Sequence, residues 1–439
     1  MQNSLVFWSA IELASAIRSG EYTSVEVVEG HLSRIAEVNP RLNAVVQLDS
    51  EYALDAARSI DERLNRQEAI GPLAGVPFTV KDWIDTKGLP CTAGEERYRD
   101  RIPDQDASAV ARLREAGAIL LGKTNVLTDN PVYGRTDNPY RAGFSPTGSS
   151  SGEAAIIAAG GSPMGLGSDS GGSIRQPAHC CGIAGLKPTT GRVPLTGHFP
   201  PISPLADPRT TIGPLARSVK DLAAVLTVIG GPDGSDPAAL PVPLDEWKEV
   251  RLDRLRVATY TEHEGATPHP DVVAVTQKTA GELLARGIEV EERVPPRIAD
   301  ALAITREYWA RPESESLEEW CPSGSSRLSG QDVERHLFEW DRFRRVMLGF
   351  MQQFDAILTP AAELPARPHG EPEGGIPYTL PYSLTGYPAL VVRAGSTPEG
   401  MPIGVQVVAR AWCDDVALAL GVMIEDTIGG WQPPDIDRG

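Results

Sequence analysis

The period of the hydrophobic pattern changes several times along the chain, and each change marks an element. Near the start, apolar residues recur at helical spacing after Ser9-Ala-Ile-Glu12 and again after Thr23-Ser-Val-Glu26. Both are capping-box pairs, which close the free N–H groups of a first helical turn. Pro40 is expected to stop the second helix. Residues 51–65 read as a third, closed by Gly71-Pro72. GVPFTVKD (75–82) is then a short β-rich run, and DASAVARLREAG (106–117) is a helix leading into the strand AILLG (118–122). Strand-like runs return at 255–259, 354–359, 388–393 and 403–408. They alternate with helical patterns near 218–229, 270–286, 332–353 and 414–426. That alternation predicts an α/β fold. Residues 231–243 and 311–331 are polar and rich in Pro or Ser, and are expected to form long surface loops or lids.

The centre is different. From Asp137 to Arg192 the chain is dense in Gly, Ser and Pro, yet it carries the small-residue helix EAAIIAAG (153–160). A linker has no use for such a helix, so this stretch is expected to be packed. No repeat and no linker divides the chain, and residues 1–439 are expected to form a single domain.

Composition narrows the function. The 41 Lys and Arg against 59 Asp and Glu leave a net charge of −18. Such a surface repels phosphate backbones and anionic lipid, so neither nucleic acid nor a membrane is an expected partner. None of the five Cys lies in a CxxC, and Cys180 and Cys181 are adjacent, so free thiols in a reducing compartment are expected. There is no signal-peptide pattern and no apolar run long enough to span a bilayer. A cytoplasmic protein is the simplest expectation.

Two catalogue motifs match without their context. Gly117-Ala-Ile-Leu-Leu-Gly122-Lys123-Thr124 fits the phosphate-loop pattern. That motif needs a strand before it and a flexible middle, whereas here a helix precedes and the middle residues are strand formers. Gly148-Ser149-Ser150-Ser151-Gly152 fits the nucleophile elbow of a Ser-His-Asp hydrolase. The elbow needs a buried strand feeding into it, and NPYRAGFSPT (138–147) supplies none. His336 and His369, its candidate partners, lie in no catalytic-loop context.

What remains is a wider constellation: Lys81 in GVPFTVKD, SPTGSSSGEAA (145–155), GSDSGGSIRQPA (167–178) and GLKPTTGRV (185–193). Taken singly, each is an ordinary turn or a solvated lysine. Together they resemble the amidase signature family of serine hydrolases. The likeness extends to NPRLNAVV (39–46), LREAGAILLGKTN (113–125) and LPYSLTGYPALVV…GMPIGVQVVAR (380–410), with a signature core at about 71–215.

The resemblance implies a single large α/β domain, a twisted mixed sheet covered by helices on both faces. It makes Ser173 the nucleophile, Ser149 the bridging serine and Lys81 the base, with a cis peptide at Gly148–Ser149. The oxyanion hole would be formed by the backbone N–H groups of Ser170, Gly171, Gly172 and Ser173. Chemistry explains these residue types. A serine hydroxyl is a weak nucleophile until a base takes its proton, and a lysine serves as that base only when burial keeps it neutral. Ser149 between them relays the proton. Asp169 and Arg175 are expected to pair and brace the loop, with Ser150 hydrogen-bonding near the bridge. Glu153, opening the next helix, suits the positive end of its dipole. No metal or cofactor is implied.

Some positions depart from the family pattern. Ser151 stands where many relatives have a second Gly, and Cys180 where an aromatic residue is common. The segment 125–139 looks shorter than in fatty-acid amide hydrolases, and an N-terminal membrane-binding helix of the kind those enzymes use is not expected, which disfavours a long-acyl lipid substrate. HFPP (198–201) and 300–345 lie where relatives vary most. There Trp309, Trp320, Phe338, Trp340 and Phe343 are either pocket or core residues, with core the expectation for each.

The implied function is hydrolysis of small or aryl amides, with carbamates (urethanes) or esters within reach of the same apparatus and no obligatory protein partner. Three alternatives stand beside it: the amidase subunit of glutamyl-tRNA amidotransferase, a Ser-His-Asp hydrolase, and a non-catalytic binding relative. The stretch VPLTGHFPPISPLADPRTTIGP (193–214) lacks the longer segment associated with that amidotransferase component. A binding relative has no need for the lysine and both serines together.

Overall fold

The computed structural model describes residues 2–202, 207–309 and 329–436. Eleven strands among these form one sheet. In chain order they are β1 (Val45–Leu48), β2 (Pro77–Lys81), β3 (Ile119–Thr124), β4 (Met164–Asp169), β5 (Ala184–Lys187) and β6 (Thr211–Ala216). The remainder are β7 (Arg256–Thr259), β8 (Glu289–Glu292), β9 (Ala356–Pro360), β10 (Ala389–Ser396) and β11 (Pro402–Ala409). Their order in space is β1-β3-β2-β4-β6-β5-β10-β11-β9-β7-β8. The sheet is mixed: β3, β2 and β4 are mutually parallel, as are β9, β7 and β8, while antiparallel pairs join the middle.

Helices cover both faces. They are α1 (Ala10–Ser19), α2 (Ser24–Leu42), α3 (Ser50–Asn65), α4 (Ser108–Glu115), α5 (Ser151–Ala158) and α6 (Arg175–Cys181), followed by α7 (Val219–Ile229), α8 (Pro270–Ala285), α9 (Asp300–Trp309), α10 (Gly330–Met351), α11 (Leu380–Thr385) and α12 (Asp414–Ile428). Strand alternation sorts the core into two layers. Leu120, Leu390 and Val392 pack with Leu113 of α4, Leu222 of α7 and Leu418 of α12. Their neighbours Ile119, Leu121 and Val391 turn the other way, onto Val28 of α2, Ala53 of α3 and the alanine-rich α5. The uniform small residues of α5 follow from this position, because every one of its residues is buried. A third cluster packs Trp340 and Phe343 of α10 against Tyr382 and Leu384 of α11 and against Ile357 and Val408 of the sheet.

Several expectations need correction. Pro40 does not stop α2, which runs two residues further to Leu42 and ends at Asn43 in the left-handed conformation. In a final turn proline removes only its own N–H bond, and the helix carries on to its cap. Strands β1, β4, β5, β6 and β8 had no sequence expectation. β4 (MGLGSD) and β6 (TIGPLA) carry the glycine and proline that ordinarily argue against a central strand. Close packing explains one of these glycines. A Cβ at Gly165 would fall 1.8 Å from Glu153 Oε1, so β4 makes room there for a buried carboxyl.

The aromatic candidates divide. Trp340 and Phe343 are core, and Trp340 Nε1 donates to Leu384 O at 2.8 Å. Phe338 is 70% exposed. Trp320 and the side chain of Trp309 lie outside the described residues, as does most of 311–331. The phosphate-loop look-alike is a helix–strand junction: α4 precedes β3, and buried Lys123 bonds Ile84 O and lies 3.6 Å from Asp82 Oδ1.

Candidate active site

Parallel β3, β2 and β4 bring three C-terminal ends to one edge: Thr124, Lys81 and Asp169. In open α/β sheets loops beyond such ends form ligand crevices. The two Gly-Ser-rich segments leave from this edge, one entering α5 and the other entering α6.

Lys81 is fully buried, and its Nζ lies 2.6 Å from Ser149 Oγ. The same amine reaches Ser168 twice, its Oγ at 3.1 Å and its carbonyl at 3.3 Å. The Trp83 ring closes the remaining side, with its centroid 4.2 Å from Nζ. Burial drives the Lys81 pKa well below the ordinary lysine value, against the smaller upward pull of Asp169 and Glu153. Burial thereby favours the neutral amine, whose lone pair can accept a proton.

Ser149 follows a cis peptide bond at Gly148, and the chain then turns into α5. Ser150 fastens the two loops together: its N–H donates to Ser173 O at 3.1 Å and its hydroxyl reaches Ser168 O at 3.4 Å. Ser173 itself is half-buried, and its hydroxyl has no hydrogen-bond partner among the described residues.

Asp169 organises the backbone around Ser173. It accepts the N–H of Gly172 at 2.7 Å and of Ile174 at 3.1 Å, and takes two bonds from Arg175, Nε and Nη2, each of 2.9 Å. Burial alone would raise its pKa, but Arg175, together with Lys187 and the Ile174 N–H, holds the carboxyl down to about 2. Arg175 in turn donates to Thr379 O and to the side chains of Gln406 and Ser383, tying the loop to α11 and β11.

The four N–H groups expected to form the oxyanion hole are not equivalent. That of Gly172 donates to Asp169. The N–H groups of Gly171 and Ser173 have no partner among the described residues. The Ser170 N–H is likewise without a partner there, while its hydroxyl shares a hydrogen bond with Thr210 Oγ1 at 2.6 Å. Gly172 has a φ of +137°, and a Cβ there would lie 2.5 Å from Thr379 Oγ1. Only glycine fits that turn.

Glu153 is in the first turn of α5, as expected, but the helix dipole is not its main partner. It is wholly buried between the strands, accepting from Thr79 Oγ1 at 2.5 Å and Thr124 Oγ1 at 2.8 Å. Burial raises its pKa to about 8. The candidate histidines of an elbow mechanism are elsewhere: His369 Nε2 lies 2.8 Å from Asp137 Oδ1, and His336 packs beside Trp340.

Sequence reasoning missed Trp83, Ser168 and His198. Nε2 of His198 lies 3.1 Å from Ser168 Oγ, and its ring packs 6.0 Å from that of Trp83. Trp83 and Ser168 were signalled only by closeness to Lys81 and Ser173 in sequence. His198 belongs to a segment with no motif of its own.

The Amidase family model matches residues 26–341 and 310–418. The chain belongs to this family. A glutamyl-tRNA(Gln) amidotransferase subunit of Salinispora tropica is 34% identical, with 98% of this chain and 99% of that protein covered. An acylamidase of Rhodococcus erythropolis is 33% identical over 97% of this chain and 96% of its own. Among solved structures, the peptide amidase of Stenotrophomonas maltophilia superimposes with a TM-score of 0.84 at 28% identity, covering 98% of this chain and 99% of that one. The amidase family member described here is thus an amide C–N hydrolase on a single mixed α/β sheet. None of its described helices is long and apolar enough to cross a membrane.

Proposed function

We propose that this amidase acts alone on small or aryl amides through an acyl-enzyme on Ser173, and that aryl carbamates and esters are within its range. The observation that carries the reading is the 2.6 Å contact between a desolvated Lys81 amine and Ser149, in a loop stapled to that of Ser173. Ser173 Oγ attacks the substrate carbonyl carbon. Its proton passes to Ser149 Oγ while the Ser149 proton passes to Lys81 Nζ. The unpaired N–H groups of Ser170, Gly171 and Ser173 meet the developing oxyanion, each such donor being worth about 3–4 kcal/mol in other hydrolases. The relay then runs backwards. Lys81 returns its proton through Ser149 to the leaving nitrogen, the C–N bond breaks, and water attacks the acyl-enzyme by the same route.

An apolar acyl group suits the flank of this site. A methyl group at Gly171 would sit 3.5 Å from Ile376 Cδ1 and 3.8 Å from Leu380 Cδ1. The test uses the purified chain by itself. Aniline release is followed from an aryl amide and from the matching aryl carbamate, with Ser173→Ala as the control. Release lost in the variant supports the reading, and release that survives it refutes it.

One observation favours a second reading, as the catalytic component of a larger transamidating assembly. The amidotransferase relative matches over nearly its whole length. That alignment runs over 500 positions against a chain of 439 residues, so the relative carries segments this chain lacks. The acylamidase alignment, at 482 positions, does too, so length does not separate the two. Glutaminase activity appearing only with partner subunits would favour the second reading.

A further inference from the structure

The mechanism above leaves one buried titratable group unused on the far side of Lys81. His198 is 5% exposed, and both of its ring nitrogens are engaged. Nδ1 lies 3.0 Å from Pro200 O, and Nε2 lies 3.1 Å from Ser168 Oγ. A carbonyl oxygen only accepts, so Nδ1 carries the ring proton, and Nε2 of the neutral ring is left as an acceptor. Burial keeps the ring neutral by lowering its pKa to about 4. Ser168 must therefore give its hydroxyl proton to His198, and its Oγ can only accept from Lys81.

The consequence reaches the base. A neutral amine has two N–H donors and one lone pair, and Lys81 Nζ has three oxygen neighbours. The Ser168 carbonyl takes one N–H. Ser168 Oγ, its own proton committed to His198, takes the other. Only the lone pair is left for Ser149, at the shortest of the three distances.

We infer that His198 and Ser168 are positioning residues which fix the direction of the hydrogen-bond chain, so that Lys81 can meet Ser149 only as a proton acceptor. Without that anchor Ser168 is free to turn its hydroxyl proton onto the lone pair and occupy the base. The backbone holds His198 in place for this role. Residues 197–199 run beside the segment just after Lys81, with Asp85 N–H donating to Gly197 O and Phe199 N–H to Trp83 O, both at 2.8 Å. The inference rests on the reading of Lys81 as the base.

The test compares kcat and KM for aryl-amide hydrolysis in the native enzyme, His198→Phe, His198→Gln, Ser168→Ala, the Phe/Ala double variant and Lys81→Met. His198→Phe keeps a ring and loses both nitrogens; it is expected to lower kcat about 10- to 100-fold with KM little changed. Gln offers an acceptor where Nε2 was, so His198→Gln is expected to recover most of that loss. In the Ser168→Ala background His198→Phe is expected to add little, because the two act as one unit. An unchanged kcat in His198→Phe, additive losses, or no advantage of Gln over Phe would each overturn the inference. If His198→Phe does not fold, Ser168→Ala and His198→Gln decide it: Ser168→Ala should lower kcat and His198→Gln should not. Turnover retained in Lys81→Met would instead overturn the base assignment itself.

Discussion

Asp169 and Arg175 meet as a two-bond ion pair with neither side chain exposed, each N–O distance being 2.9 Å. The pair spans the turn that carries Ser173, and the same carboxylate fixes the N–H groups of Gly172 and Ile174. Removing Arg175 leaves that carboxylate buried without its charge partner, a change that costs about 3–5 kcal/mol. Arg175→Met is therefore expected to unfold at clearly lower urea than the native chain and to lose turnover. The Asp169 pKa is lowered to about 2 from 3.8, so its contribution is complete above pH 3.8 and is lost as pH falls towards 2. An unchanged urea midpoint in Arg175→Met would remove this brace from the account.

Lys81 has the opposite relation to stability. Burial lowers the pKa of its amine well below the unfolded value of about 10.5, so between the two values folding expels a proton. That penalty grows as pH falls from 10.5 towards the folded-state pKa. Lys81→Met removes it. The variant is expected to be inactive yet to melt a few degrees higher than the native chain at pH 7, with a smaller difference at pH 10. Differential scanning fluorimetry at both pH values checks this. In the native enzyme kcat/KM should fall as pH drops through the Lys81 pKa, well below 10.5, because the proton blocks the lone pair.

Glu153 titrates the other way. Its carboxyl pKa rises from 4.5 to about 8 on folding. The stability gained by holding this proton is complete below pH 4.5 and disappears as pH rises through 8. Glu153→Gln keeps a neutral, hydrogen-bonding side chain between Thr79 and Thr124. It is expected to retain turnover and to flatten the dependence of Tm on pH between 4.5 and 8. An unaltered slope would contradict the assignment of a protonated carboxyl at that position.

Gly172 is sensitive for a steric reason. With φ at +137° and Thr379 Oγ1 2.5 Å from where a Cβ would stand, Gly172→Ala must move the turn ahead of Ser173. Its N–H bond to Asp169 moves with it. A folded protein with kcat reduced about 100-fold or more is expected, since one oxyanion donor alone is worth that much. Wild-type kcat in the variant would mean that this turn does not set the site's geometry.

The sequence was most legible where a pattern was local. The capping boxes at Ser9 and Thr23, helices such as α7 and α12, and strands β2, β10 and β11 all carry their period on the surface of the sequence. Strands β4 and β6 do not. Their glycines answer to neighbours elsewhere in the chain, such as the Thr79 carbonyl, 2.7 Å from where a Cβ on Gly165 would stand. Lys81, Ser149 and Ser173 were legible through a resemblance of spaced motifs. The commitment of the Gly172 N–H to Asp169 was not, because it is a matter of where one amide points. His198 was invisible for a related reason: its role comes from a backbone pairing between residues 83–85 and 197–199, more than a hundred positions apart.

The central claim is that Ser173 forms the covalent intermediate. The most direct measurement treats the purified chain with an activated aryl carbamate, quenches it, and maps the added mass by peptide mass spectrometry. The account predicts one carbamoyl group on the peptide containing Ser173, slow loss of that group in buffer, and no adduct in Ser173→Ala. A carbamoyl group on another residue together with turnover that survives in Ser173→Ala would contradict it.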